Sequence, residues 1–205
     1  YLLDKLVNKL ASSPSIFILL RRMLELNFIA EKSVMFSETK TLQRGSRVLD
    51  IGCGTGEFSP LFLDFEYIGI DLEPRYTNYA KRKYANNFIT MDGEQMAFPN
   101  DMFDLLVVVG VFHHLDDGKC YRLFQEMRRV VKDGGKIFVM EDVDIESKWD
   151  IFGNLLRYLD KGDYIRKEKE YLKLFSKLAP ITNYYSVRSG LISYQVFSFV
   201  AGNFL

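Results

Sequence analysis

A chain of 205 residues has room for one domain with an ordinary core, or one core with a modest elaboration. Hydrophobic residues at 48% and charged residues at 26% give the profile of a soluble globular protein. Lys+Arg and Asp+Glu both total 27, so the formal net charge is +0 and the usual basic excess of a nucleic-acid or anionic-membrane binder is missing.

Two cysteines, Cys53 and Cys120, build neither a disulfide framework nor a metal-ligand cluster. That composition predicts no bound metal and fits a reducing, cytoplasmic setting. Near the N-terminus the apolar run Ile16–Leu20 is cut by Arg21 and Arg22, too short to span a bilayer. No stable membrane insertion is expected.

The first forty or so residues read as helices. Leu2, Leu3, Leu6, Val7 and Leu10 recur at helical spacing, and Ser13-Pro14 has the form of an N-cap followed by proline. Ile16, Phe17, Leu19, Leu20, Met23 and Leu24 supply a second apolar face. Such a face packs on the domain, closes as a lid over a site, or docks on a membrane surface or partner.

From Arg47 the pattern changes to alternating strand and helix. Arg47–Ile51 reads as a strand and Glu57–Phe65 as a short helix, with Pro60 in its first turn. Tyr67–Asp71 is the next strand, Arg75–Tyr84 a helix and Asn87–Met91 the third strand. Asp104–Val109 is almost wholly apolar, as a central parallel strand buried on both faces must be. Asp117–Val131 reads as a helix ended by the Gly134-Gly135 turn, and Lys136–Glu141 as a fifth strand.

Beyond it, Trp149–Leu159 and Lys167–Leu178 look helical, while Ile181–Arg188 and Ser193–Ala201 are β-rich. So short a connection makes the last two strands antiparallel. The expected fold is α/β: a Rossmann-like, doubly wound, mostly parallel seven-stranded sheet with an antiparallel edge hairpin and N-terminal helices. Residues 1–205 then form a single domain, divided into a helical lid or cap (1–44), a cofactor-binding core (45–142), a helical acceptor-side segment (143–180) and a terminal hairpin (181–205).

Gly52, Gly54 and Gly56 follow directly on the first apolar strand, in the segment V-L-D-I-G-C-G-T-G. Glycine there lets the backbone turn tightly and approach a ligand. In open α/β sheets ligands bind at such carboxyl ends of strands. A dinucleotide site uses G-x-G-x-x-G with its pyrophosphate at a helix N-terminus, whereas the spacing here is G-x-G-x-G. Asp50 and Glu57 flank the glycines; two carboxylates repel a pyrophosphate, while an acid suits the cationic end of a sulfonium amino acid. Asp71, roughly twenty residues past the first glycine, is placed to hold ribose hydroxyls, and Asp92 to accept from an adenine amine. Cys53 is a small filler of the turn.

The segment Arg47–Asp142 resembles the core of class I S-adenosylmethionine-dependent methyltransferases. The matching pieces are VLDIGCGTGEF, YIGIDLEP, FITMDGEQMAFPNDMFDLLVVVGVFHHL and EMRRVVKDGGKIFVMED, in the expected order. They are closest in style to the small-molecule group that includes quinone-biosynthesis methyltransferases. The resemblance implies that Asp50, Gly52, Cys53, Gly54 and Gly56 surround the methionine portion of S-adenosyl-L-methionine. It further implies that Asp71 binds the ribose with Leu72 against the adenine, that Asp92 and Gly93 read the adenine edge, and that Val109 and Gly110 line the floor.

Methyl transfer is an in-line displacement, which asks mainly for alignment, with a general base only where the acceptor must lose a proton. His113 and His114 follow the fourth strand; His113 is the candidate for a pocket-facing base and His114 for an acceptor contact. Trp149, Tyr164 and Arg166 are further candidates for the acceptor pocket, Arg166 as a partner for a carboxylate or phosphate. The expected partner is a small-molecule acceptor, not a nucleic acid. A non-catalytic S-adenosylmethionine-binding or regulatory module is the alternative, and a nicotinamide oxidoreductase the third.

Overall fold

In the computed structural model the described residues are 14–143, 164–190 and 192–202. The apolar run Phe103–Val109 forms β4, and the other strands arrange themselves around it. The cap helices come first, α1 (Pro14–Leu24) and α2 (Ile29–Thr39), joined by a 3-10 turn at Leu26–Phe28. Then follow β1 (Arg47–Ile51), β2 (Glu66–Asp71), α3 (Pro74–Lys83), β3 (Asn87–Thr90), β4, α4 (Asp117–Val130) and β5 (Val131–Asp142). After the segment that is not described come α5 (Glu168–Leu178), β6 (Asn183–Ser189) and β7 (Ile192–Val200).

One seven-stranded sheet runs β3-β2-β1-β4-β5-β7-β6. β1 pairs in parallel with both β2 and β4, β2 with β3 and β4 with β5, whereas β7 is antiparallel to β5 and β6. The chain winds outward in one direction from β1 and in the other from β4. The carboxyl ends of these two strands therefore flank the switch point where such sheets take ligands.

Side-chain alternation along the strands feeds two cores. Leu106 and Val108 of β4 join Ile137, Val139, Phe197 and Phe199 under α4 and α5. Leu105 and Val107 face the other way, with Phe138, Met140, Tyr194 and the cap residue Met35. Each fully buried Phe or Leu contributes about 1.5–3 kcal/mol, so β4 is fixed from both sides. Caps set the helix starts: Asp116 accepts from the Lys119 N–H at 2.8 Å, and Glu73 from the Arg75 N–H at 3.0 Å with Pro74 as the first helical residue.

Several local expectations change. The helix predicted over Glu57–Phe65 is only a four-residue 3-10 turn, Ser59–Phe62. Pro60 offers no N–H, and β2 begins too soon for a longer helix. The Gly134-Gly135 pair does not end the element before β5; it lies inside β5, at a register shift opposite Phe103 and Leu105. Gly134, with φ +73°, absorbs the irregularity. The helices predicted around Leu2–Leu10 and Trp149–Leu159 lie outside the described residues.

The apolar face expected of α1 is only partly inward. Ile18 is buried, while Leu19 and Met23 are exposed. Polar groups turn inward instead. Glu25 and Glu31 are both fully buried, Glu25 taking Arg21 and the Tyr194 hydroxyl, and Glu31 taking the Ser189 hydroxyl. The cap is thus tied to β6 and β7 by a polar seam.

That seam has a pH signature. Burial, then the neighbouring Glu25, push the Glu31 carboxyl up to about 8 from 4.5. The folded protein holds a proton there that the unfolded chain releases, so stability falls as pH rises between those values. Glu31→Gln keeps an acceptor for Ser189 and removes the titration. The wild-type melting temperature is expected to fall by roughly 5 °C between pH 6 and pH 8 relative to the variant. Parallel thermal melts that superpose across this range would contradict the assignment.

Candidate active site

β1 delivers the chain into the turn at Gly52, where φ is +73°, and Gly54 and Gly56 are also left-handed at +53° and +74°. A Cβ on Gly52 would lie 2.3 Å from Val111 Cγ2, while around Gly54 no atom stands within 4 Å of such a position. The first glycine therefore lets two loops meet, and the second leaves open space. Gly56 meets Phe88 instead, 2.8 Å from its would-be Cβ, so its freedom serves packing.

Four N–H groups of the turn are used internally. Gly52 and Cys53 both donate to the Ile70 carbonyl, at 2.8 and 2.9 Å, and Gly56 to the Cys53 carbonyl at 2.9 Å. Gly54 donates to Asp71 Oδ2 at 2.8 Å. A pyrophosphate site needs such groups aimed outward at the start of a helix. Here they turn inward, and a four-residue 3-10 turn stands where that helix would begin.

Asp50 is buried and accepts from the Tyr67 hydroxyl at 2.7 Å. Burial pushes its carboxyl up to about 7, against the hydrogen bond from Tyr67 and with the help of the Asp71 charge. Asp71 itself accepts from Gly54 N–H and, at 2.8 Å, from Glu73 N–H, which fixes its plane. Burial raises its pKa more than those hydrogen bonds lower it. Burial also pushes the Cys53 thiol up, so it stays protonated and fills space.

Glu57 departs from expectation. Its carboxylate does not face a ligand as a bare charge; it takes Arg22 Nη2 at 2.6 Å, Lys32 Nζ at 3.1 Å and the Tyr84 hydroxyl at 3.3 Å. Burial alone would raise its pKa, but the two cationic partners hold it below the usual range. Glu57 ties the cap to the glycine turn. The case against a pyrophosphate rests instead on the inward N–H groups, the missing helix and Asp50.

Two cavities meet at Gly52. The larger, about 570 Å³, is lined by Gly52, Asp71, Leu72, Asp92, Gly93, Gly110, Val111 and His114, among others. The smaller, about 60 Å³, is lined by Asp50, Gly52, Cys53, Gly54 and Val109 from the core and by Ile18, Arg21 and Phe28 from the cap. Ten of the eleven sequence-derived cofactor positions thus line one cavity or the other. Asp92 is oriented by the Glu94 N–H, 2.9 Å from its Oδ1.

The histidine pair is arranged differently from the sequence expectation. His113 is buried, at 1% exposure, and its Nδ1 lies 3.0 Å from Glu141 Oε2; His114 is the one on the larger cavity's wall. Glu141, at the end of β5, is the cause. Its carboxylate also accepts from the N–H groups of Val111 and Phe112 at 2.9 Å and of His113 at 3.2 Å. Three backbone donors and one ring fix the loop after β4 and draw His113 inward. Sequence reasoning missed Glu141; its one visible signal was an acid closing an otherwise apolar strand.

Arg166 clamps the same loop from outside. Nη1 donates to the Phe112 carbonyl at 3.0 Å and the Tyr164 carbonyl at 3.2 Å, and Nη2 to the Leu115 carbonyl at 2.9 Å and Asp117 Oδ1 at 2.8 Å. Both terminal nitrogens of its fork are thus engaged with oxygens of the protein. Tyr164 joins it along a separate groove and donates its N–H to the His113 carbonyl at 2.9 Å. Trp149 lies outside the described residues. Among the described residues no group of three His, Cys, Asp or Glu side chains is placed to hold a metal ion.

Comparisons with known proteins match the part of the chain that carries this site. Residues 48–135 match the model of a methyltransferase domain family. A protein of Methanocaldococcus jannaschii is 33% identical over 146 residues, 71% of this chain and 53% of the relative. The ubiquinone/menaquinone biosynthesis C-methyltransferase UbiE of Coxiella burnetii is 30% identical over 112 residues, 49% of this chain and 44% of the enzyme. The chain spans about half the length of these curated relatives. Phosphoethanolamine N-methyltransferase 2 of Haemonchus contortus, solved with S-adenosyl-L-methionine, shares the fold with a TM-score of 0.72 at 14% identity, over 92% of this chain and 57% of that one. The glycine turn and the matched family model together give residues 48–135 the pattern of a methyltransferase domain, and the sheet that carries it has the fold of the solved methyltransferase above.

Proposed function

We propose that the chain transfers a methyl group from S-adenosyl-L-methionine to a small or medium organic acceptor. The observation that carries this reading is the pair of cavities joined at Gly52, one edged by Asp71 and Asp92 and the other by buried Asp50. A nucleoside and a cationic amino acid linked through one atom need that division of labour. When bound, the cofactor supplies a methyl group on a cationic sulfur, activated for in-line displacement.

The chain's own residues then bind and align. Asp71 accepts from ribose hydroxyls with oxygens already oriented by Gly54 and Glu73, Leu72 covers the adenine, and Asp92 with Gly93 reads its edge. Asp50, in its low-dielectric setting, holds the ammonium, while Val109 and Gly110 form the floor. His114 contacts the acceptor from the wall of the larger cavity. His113, fixed by Glu141, is a positioning residue that holds the loop and not the base.

In this reading residues 1–44 form the cap, 45–142 the cofactor core, 143–180 the acceptor side and 181–205 the hairpin. The cavity dimensions suit a small molecule rather than a nucleic acid, and a cytoplasmic enzyme fits the composition. No helix among the described residues is long and apolar enough to cross a membrane. Methyl-labelled cofactor incubated with a panel of phenols, quinols, amines and carboxylates tests the reading. Acceptor-dependent release of S-adenosylhomocysteine is expected; tight cofactor binding with no transfer to any class would instead mark a non-catalytic module.

A further inference from the structure

The outer side of α1 is apolar where solvent meets it. Leu19 and Met23 are 57% and 70% exposed, and with Ile16 they stand at helical spacing on one side of the helix. Leu26, in the turn that follows, and Ile29, at the start of α2, are 62% and 66% exposed. Large apolar side chains scattered singly over a surface need no explanation, but a cluster of them in one short stretch marks a surface that meets something other than water.

Beside it stands a group of cations. α3 carries Arg75, Lys81, Arg82 and Lys83 and no acid. Arg75 is answered by Glu73, whereas Lys81 and Arg82 are exposed and meet no carboxylate among the described residues. Lys83 lies against aromatic rings, its Nζ 5.4 Å from the centre of Tyr79 and 4.9 Å from that of Tyr84. Cations in a last turn suit the negative end of a helix dipole, which accounts for their place in α3 but not for uncovered apolar side chains nearby. Glu57 joins the two surfaces. Its Oε2 takes Arg22 Nη2 at 2.6 Å and the Tyr84 hydroxyl at 3.3 Å, so the end of α1 that bears Met23 abuts the end of α3 that bears the cations.

An apolar strip edged by cations and tyrosine rings matches the boundary of an anionic bilayer, where acyl chains begin beneath charged headgroups. Tyrosine suits the headgroup level, and lysine buries its stem while its ammonium stays among the phosphates. The formal net charge of the chain is +0, so this complementarity is local to one helix end. We propose that the face formed by α1 and the C-terminal end of α3 docks the protein reversibly on an anionic lipid surface. Docking of this kind is independent of which cofactor the glycine turn holds.

Sedimentation of the full chain with vesicles tests this, using phosphatidylcholine alone and phosphatidylcholine mixed with phosphatidylserine. Binding to the mixed vesicles is expected, weakening as salt is raised and far weaker on the neutral ones. Lys81→Gln, Arg82→Gln and Lys83→Gln together should weaken it by roughly 100-fold, at about 5-fold for each cation near the surface. Leu19→Ser with Met23→Ser, both at exposed positions and so with unchanged melting, should weaken it by roughly tenfold. No sedimentation with either kind of vesicle would overturn the proposal. A loss in the cation variant with none in the apolar variant would overturn it too, in favour of a site for soluble polyanions such as RNA. So would a dimer, seen by sedimentation velocity without lipid, that the Leu19→Ser, Met23→Ser protein fails to form; the apolar face would then belong to a second copy of the chain.

Discussion

Gly52→Ala is expected to weaken S-adenosylmethionine binding by roughly 100-fold or more while the chain stays folded. The new Cβ would lie 2.3 Å from Val111 Cγ2, and the backbone would carry a left-handed alanine at φ +73°. Relief requires the Val111 side chain or the loop that carries it to shift, and the turn and that loop both line the larger cavity. Strain alone is not the cause, and Gly45 provides the control. Its φ is +83°, yet a Cβ there meets no atom within 4 Å. Gly45→Ala should cost about 1–2 kcal/mol of stability and leave affinity unchanged. Equal affinity losses in the two variants, read by calorimetry, would show that the Gly52–Val111 contact does not shape the site.

Glu141→Ala is the second large effect. The substitution strips an acceptor from three N–H groups, those of Val111, Phe112 and His113, and removes the partner of His113 Nδ1. Breaking a buried charged network of this kind costs about 3–5 kcal/mol, which lowers the melting temperature of a chain this size by roughly 10 °C. Glu141→Gln keeps one acceptor oxygen and turns an amide donor toward its neighbours, so an intermediate loss follows. Loosening the loop also frees His114, and both variants should lose turnover beyond what their melting explains. An alanine variant melting within about 2 °C of the wild type would remove Glu141 from its place as organiser of the loop.

The parts of this molecule legible in the sequence are those written in short-range patterns. The apolar run of β4, the period of α4 and the glycines after β1 each declare themselves within ten or so residues, and the structure places them as expected. The positions of Asp71 and Asp92 on the larger cavity are legible because the first ends β2 and the second follows β3 by two residues. What could not be read were pairings across long separations. His113 meets Glu141 from 28 residues away, Arg166 meets the Phe112 carbonyl from 54, and Tyr194 meets Glu25 from 169. Adjacent histidines look alike in sequence; only the buried carboxylate on the neighbouring strand decides which one turns inward. Likewise Glu57 reads as a repulsive charge until Arg22 and Lys32 are seen to meet it. Arg21 lay in a run that looked like the end of an apolar helix face, with nothing local to mark it as a wall of the site.

In the proposed function the turn after β1 serves a sulfonium nucleoside and not a dinucleotide. Calorimetry of one protein preparation against S-adenosylmethionine and against NAD tests it most directly. Saturable one-to-one binding of S-adenosylmethionine with no measurable heat from NAD is the predicted result. Tight NAD binding without S-adenosylmethionine binding would contradict it.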